Sequence, residues 1–80
     1  MEKWYIESLD KCWKKFNFER TKIIKEIDDI ENIENKSKKL ERLKELEKLM
    51  GEAKRLTAES DMSKAGNFIH NYCPDLINNS

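Results

Sequence analysis

Apolar side chains recur along this chain at spacings of three and four, the period of an amphipathic α-helix. Tyr5, Ile6, Leu9, Cys12, Trp13 and Phe16 share one broad face of a helix predicted over residues 2–16. Trp4 lies off that face, and Lys11, Lys14 and Lys15 line the opposite side. Asn17 reads as a break and a new N-cap, with Glu19 in the next first turn, where the helix dipole favours an acid. A second helix is predicted over 18–34. Its seam is Ile23, Ile27 and Ile30, with Ile24 and Ile33 beside it.

A third helix is predicted over 37–58, where Leu43, Leu46, Met50 and Ala53 keep a heptad-like spacing. Leu40, Leu49 and Leu56 widen that seam to about half the circumference at ~100° per residue. So wide an apolar surface needs more than one neighbour, from this chain or a second copy. Ser60 or Asp61 caps a short fourth helix over 61–72, with Met62, Ala65, Phe68, Ile69 and Tyr72 on its apolar side. Gly66 weakens that helix, Pro74 ends it, and 74–80 reads as a flexible tail.

Two arguments compete over the join at 34–37. The preceding stretch is acidic (Glu26, Asp28, Asp29, Glu31, Glu34) and the following one basic (Lys36, Lys38, Lys39, Arg42, Lys44). Acid at a helix C-terminus and base at an N-terminus oppose the dipole, which favours one continuous helix. Against this, the isoleucine seam runs on into Glu34, Ser37 and Glu41, and Asn32, Asn35 and Ser37 are weak helix formers. The hairpin is the preferred reading, since it also sets the acidic and basic segments side by side. The alternative is a continuous helix over 19–58, about 60 Å long, which implies a dimer.

Composition narrows the class. Eighty residues make one small domain, here residues 1–73. Sixteen basic and sixteen acidic side chains cancel, so the high net charge of disordered chains is missing. There is no Val, only two Gly and one Pro, which argues against strands and hairpin turns. The fold class is therefore all-α: a small antiparallel bundle of three main helices plus a short C-terminal one. Lys outnumbers Arg thirteen to three and Gln is absent, a bias that AT-rich codons produce in low-GC genomes, phages and mobile elements. No apolar run follows the N-terminus and no stretch approaches a membrane span, so a cytoplasmic location and free thiols at Cys12 and Cys73 are expected.

Candidate chemistry is sparse. His70 and Cys73 are three apart and share a helix side, but no third orienting group accompanies them. With Cys12 they offer zinc three ligands without the paired spacing of structural sites. Asp28, Asp29 and Glu31 lack the glycine-bearing loop of a calcium site. Gly51 and Gly66 are isolated, so no phosphate loop exists. No cofactor, no metal and no catalytic set is expected.

Exposed aromatics and segregated charge point instead to protein binding. The expected function is that of a small inhibitor or regulator that occludes or locks a larger protein or ribonucleoprotein. The class analogy is with anti-defence proteins of phages and mobile elements, which are also compact, charged and catalytically bare. Its contacts would come from Trp4, Asp28, Asp29, Glu31, Glu34, Lys36, Lys38, Lys39, Arg42 and Tyr72. One alternative is a nucleic-acid-binding dimer that uses the basic 36–55 face. Another is a homo-oligomeric coiled coil assembled through Leu43, Leu46, Met50 and Ala53.

Overall fold

The computed structural model describes residues 4–78, with side chains described through Leu76. The ends of the predicted first helix and tail, 2–3 and 79–80, lie outside the described residues. The chain is an all-α bundle of α1 (Trp4–Ile27), α2 (Ile33–Glu59), α3 (Met62–Tyr72) and the single turn α4 (Asp75–Asn78). The two long helices form an antiparallel hairpin, and α3 packs back across it. The result is elongated, with extents of 50 × 26 × 17 Å.

The predicted break at Asn17 does not occur: α1 runs unbroken through it. The buried positions of α1 are Tyr5, Leu9, Cys12, Phe16 and Ile23. They keep a four-three-four spacing whose next slot is Glu19, so the seam is continuous and one of its positions is polar. The hairpin turn falls at 28–32 rather than 34–37. This resolves the conflict over the dipole. Lys25 now sits in the last turn of α1 and Glu34 in the first turn of α2, both favourable ends. The Asn32 side chain caps α2 by accepting from the backbone N–H of Asn35 at 3.1 Å.

The two later joins follow the sequence reading. α2 ends at Ser60, whose backbone lies in the left-handed region at φ 54° and donates to the Leu56 carbonyl. The Ser60 carbonyl accepts from the Tyr5 hydroxyl at 3.4 Å, which ties the start of α1 to this corner. Asp61 caps α3 through the backbone N–H of Lys64. The segment expected to be a loose tail instead turns into α4. There the Lys15 ammonium donates to Asp75 at 3.1 Å and holds its carboxyl below the usual range.

The core is one cluster, and nearly all of it lies at one end. α1 gives Tyr5, Leu9, Cys12 and Phe16; α2 gives Leu46, Leu49, Ala53 and Leu56; α3 gives Ala65, Phe68 and Ile69. Phe16 and Phe68 meet edge to face with centroids 6.4 Å apart. Beyond the reach of α3 only Ile23 is fully buried.

The cysteines expected to be free are bonded to each other. Cys12 on α1 and Cys73 at the end of α3 form a fully buried disulfide, with Cα atoms 6.1 Å apart. Free thiols were expected from the lack of an export signal; the return of α3 brings the two positions together across 61 residues of chain. Closing a loop of that length restricts the unfolded chain by about 4 kcal/mol.

Two stability predictions follow. Reduction, or Cys12→Ala with Cys73→Ala, lowers Tm by ~15–30 °C in a circular-dichroism melt, given ~4–8 °C per kcal/mol for a domain this size. Ser60→Gly relieves the left-handed strain and raises Tm by ~4–8 °C in the same assay, from a gain of about 1 kcal/mol.

Candidate functional site

The hairpin tip gathers most of the charged residues singled out in the sequence. Asp28, Asp29, Glu31 and Glu34 all lie exposed on the turn or the first turn of α2. Lys38 and Lys39 are exposed one turn further along, and Lys36 is half-buried. Glu26, Ile30, Asn35, Lys38, Lys39 and Arg42 line one shallow cleft across the two helices. The acidic segment forms the turn and the first turn of α2, so it precedes the basic segment on the same helix rather than packing beside it as a separate arm; Glu26 alone among these acids lines the cleft with Lys38, Lys39 and Arg42.

Two predicted site residues are elsewhere. Trp4 stands at the far end of α1, about 36 Å from Asp28 at 1.5 Å per residue. Its ring meets that of Tyr5 edge to face at 6.1 Å. Tyr72, at the end of α3, tilts against Phe68 at 5.0 Å and lines a cleft with Lys44, Lys48 and Glu52 of α2. These two rings cannot share a compact contact with the tip.

Arg42 has a structural task. Its Nε donates to Glu19 Oε2 at 2.7 Å and its Nη2 to Glu19 Oε1 at 2.9 Å. A further bond joins its guanidinium to Glu45. This paired fork holds the polar seam slot of α1 against α2, between the buried Phe16 and Ile23. The hydrogen bond from Arg42 keeps the Glu19 carboxyl below its ordinary 4.5, and burial opposes it only in part. A second cross-helix pair, Arg20 with Glu47 at 3.0 Å, does the same nearby.

Leu46 and Ala53, expected at a coiled-coil surface between copies, are buried in the chain's own core. Leu43 and Met50 are half-buried and pack against that core. The nucleophile pairing of His70 and Cys73 is overturned because Cys73 carries no thiol. The same bond removes Cys12 and Cys73 as zinc ligands. Among the described residues, no three His, Cys, Asp or Glu side chains come together to hold a metal ion. No described helix is long and apolar enough to cross a membrane.

The structure adds site residues that the sequence reading missed. Ile33 is 83% exposed at the tip, and Ile24 and Leu40 are also exposed. All three were read as seam or seam flank. The signal lay in the register slip between the two seams, which leaves Ile33 and Leu40 turned away from α1. The chain matches no family model, no curated protein and no solved structure.

The Glu19–Arg42 fork makes a pH prediction. Glu19 titrates lower folded than unfolded, so its contribution is complete above the unfolded value and is lost as pH falls through the folded one. Both side chains are about two-fifths exposed. Solvent screening therefore limits their coupling to about 0.5–1 kcal/mol in a Glu19→Ala, Arg42→Ala double-mutant cycle. Below pH 4.5 the protection factors of amides over 33–43, taken relative to the intrinsic exchange rate at each pH, fall by about two- to fivefold in the wild type, while in Glu19→Ala they are already low and do not change over that range.

Proposed function

We propose that this chain is a non-catalytic binding protein that docks its hairpin tip on a larger protein or ribonucleoprotein and so occludes or locks it. The observation that carries the reading is Ile33, almost bare to solvent on the same turn and first helical turn as the exposed carboxylates of Asp28, Asp29, Glu31 and Glu34. An apolar centre inside a charged rim is the anatomy of a protein interface. A partner with an apolar pocket edged by Lys or Arg meets both features, and a surface built to hold nucleic acid carries such an edge.

The basic 36–55 face supports the nucleic-acid alternative less well. Arg42 is held by Glu19 and Glu45, Arg55 by Glu52, and Lys54 lies 4.6 Å over the Trp13 ring. Those three cations are engaged within the chain, Lys36, Lys38, Lys39, Lys44 and Lys48 make no ion pair among the described residues, and the tip carboxylates and Ile33 are exposed. The free thiols were expected because no export signal was seen, and the bridge overturns that expectation. Docking at the tip does not depend on the compartment.

Immobilised protein, incubated with nuclease-treated host lysate, should capture one stoichiometric protein partner. Ile33→Asp, and separately Asp28→Lys with Asp29→Lys and Glu31→Lys, should each weaken capture by at least tenfold with Tm unchanged. Trp4→Ala should leave it intact. Capture that survives both tip variants, or disappears with nuclease, sinks this reading.

A further inference from the structure

From the outward ridge of α1 we infer a second surface, one that adsorbs on anionic lipid bilayers. Lys11, Lys14, Lys15, Phe18, Lys22 and Lys25 fall within an arc of roughly 100° on this helix, by its 100° turn per residue. From Lys11 to Lys25 the ridge is about 21 Å long. All five lysines are exposed, and Phe18 at their centre is 76% exposed. The only carboxylate of α1 between positions 11 and 25 is Glu19, and Arg42 occupies it. Lys14 pairs with Asp10 and Lys15 with Asp75; Lys11, Lys22 and Lys25 make no ion pair among the described residues. A neutral chain thus carries a strip of concentrated positive charge around a bare aromatic ring.

Charge and shape select the occupant. A second copy laid antiparallel about Phe18 sets Lys14 against Lys22 and Lys11 against Lys25, so like charges repel. The shallow surface around Phe18 is lined by Lys14, Asn17, Thr21, Lys22 and Lys25, all from α1. It is therefore a convex ridge, not a groove between elements. Single-stranded nucleic acid is tracked by positively charged grooves. A duplex admits a helix in its major groove, where lysine and phenylalanine can also meet base edges, so an oligonucleotide is the competing ligand in the test below. A plane of anionic headgroups fits the ridge. The lysines meet phosphates and carboxylates, and the ring enters the boundary below them.

The test is co-sedimentation of the oxidised, full-length chain with vesicles of phosphatidylcholine plus phosphatidylserine, and with phosphatidylcholine alone, at low ionic strength. Binding is expected to the anionic vesicles only, and to fall as salt rises. Lys22→Glu with Lys25→Glu should weaken it by ~30-fold or more, at about fivefold for each lysine lost. Phe18→Ala should weaken it by about tenfold. The tip variant Asp28→Lys, Asp29→Lys, Glu31→Lys should retain it, which separates this surface from tip docking. Thermal melts confirm that each variant is folded. Equal binding to neutral vesicles, or no binding to either, overturns the inference. So does retention on an oligonucleotide in place of vesicles, or a doubled mass by light scattering that Lys22→Glu with Lys25→Glu abolishes.

Discussion

A third helix of eleven residues cannot cover a hairpin whose arms have twenty-four and twenty-seven. Everything else in the molecule accommodates that shortfall. Where α3 lies, the chain buries Leu9, Phe16, Leu46, Phe68 and Ile69 in the ordinary way. Burial of side chains like these contributes ~1.5–3 kcal/mol each, and removal of a fully buried leucine costs more because a cavity remains. The disulfide sits at the same end, at the point where α3 returns to α1. Apolar packing and the covalent bond thus reinforce one another over half the length, and the other half receives little of either.

Beyond α3, the hairpin is held differently. Ile23 is the last buried side chain, and the ion pairs Glu19–Arg42 and Arg20–Glu47, just short of it, are the last side-chain ion pairs between the arms among the described residues. Partly exposed ion pairs contribute less than buried leucines, so the tip is the end that opens first. The same shortage of cover exposes Ile24, Ile33 and Leu40. The feature that makes the tip weak also makes it adhesive, and in this fold a candidate contact surface and a low local stability have one origin.

The all-α class, the hairpin arrangement and most of the core were legible because three-four spacing depends only on local sequence. Leu9, Phe16, Leu46, Leu49 and Ile69 need no tertiary knowledge to be placed inward. The break at Asn17 was misread for a specific reason. Glu19 occupies a seam slot, and a polar residue there ends the pattern unless its partner is known. That partner, Arg42, lies twenty-three residues away. The free-thiol reading failed on a different ground: it was drawn from the lack of an export signal, which says nothing of where α3 places Cys73. Of the ten contact residues proposed from sequence, those at the tip do cluster. Trp4 and Tyr72 do not belong with them, because position along a helix says nothing of which end its neighbours occupy, and Arg42 borders their cleft but is engaged by Glu19 and Glu45.

The bridge between Cys12 and Cys73 has a mechanical consequence. Residues 13–72, with the entire tip and most of both long helices, lie inside the covalent loop that it closes. Tension applied to the two ends of the chain passes from α1 into the sulfur atoms and out toward α4. The hairpin bears none of that load. A molecule tethered at both ends could be stretched taut and still present its tip unstrained.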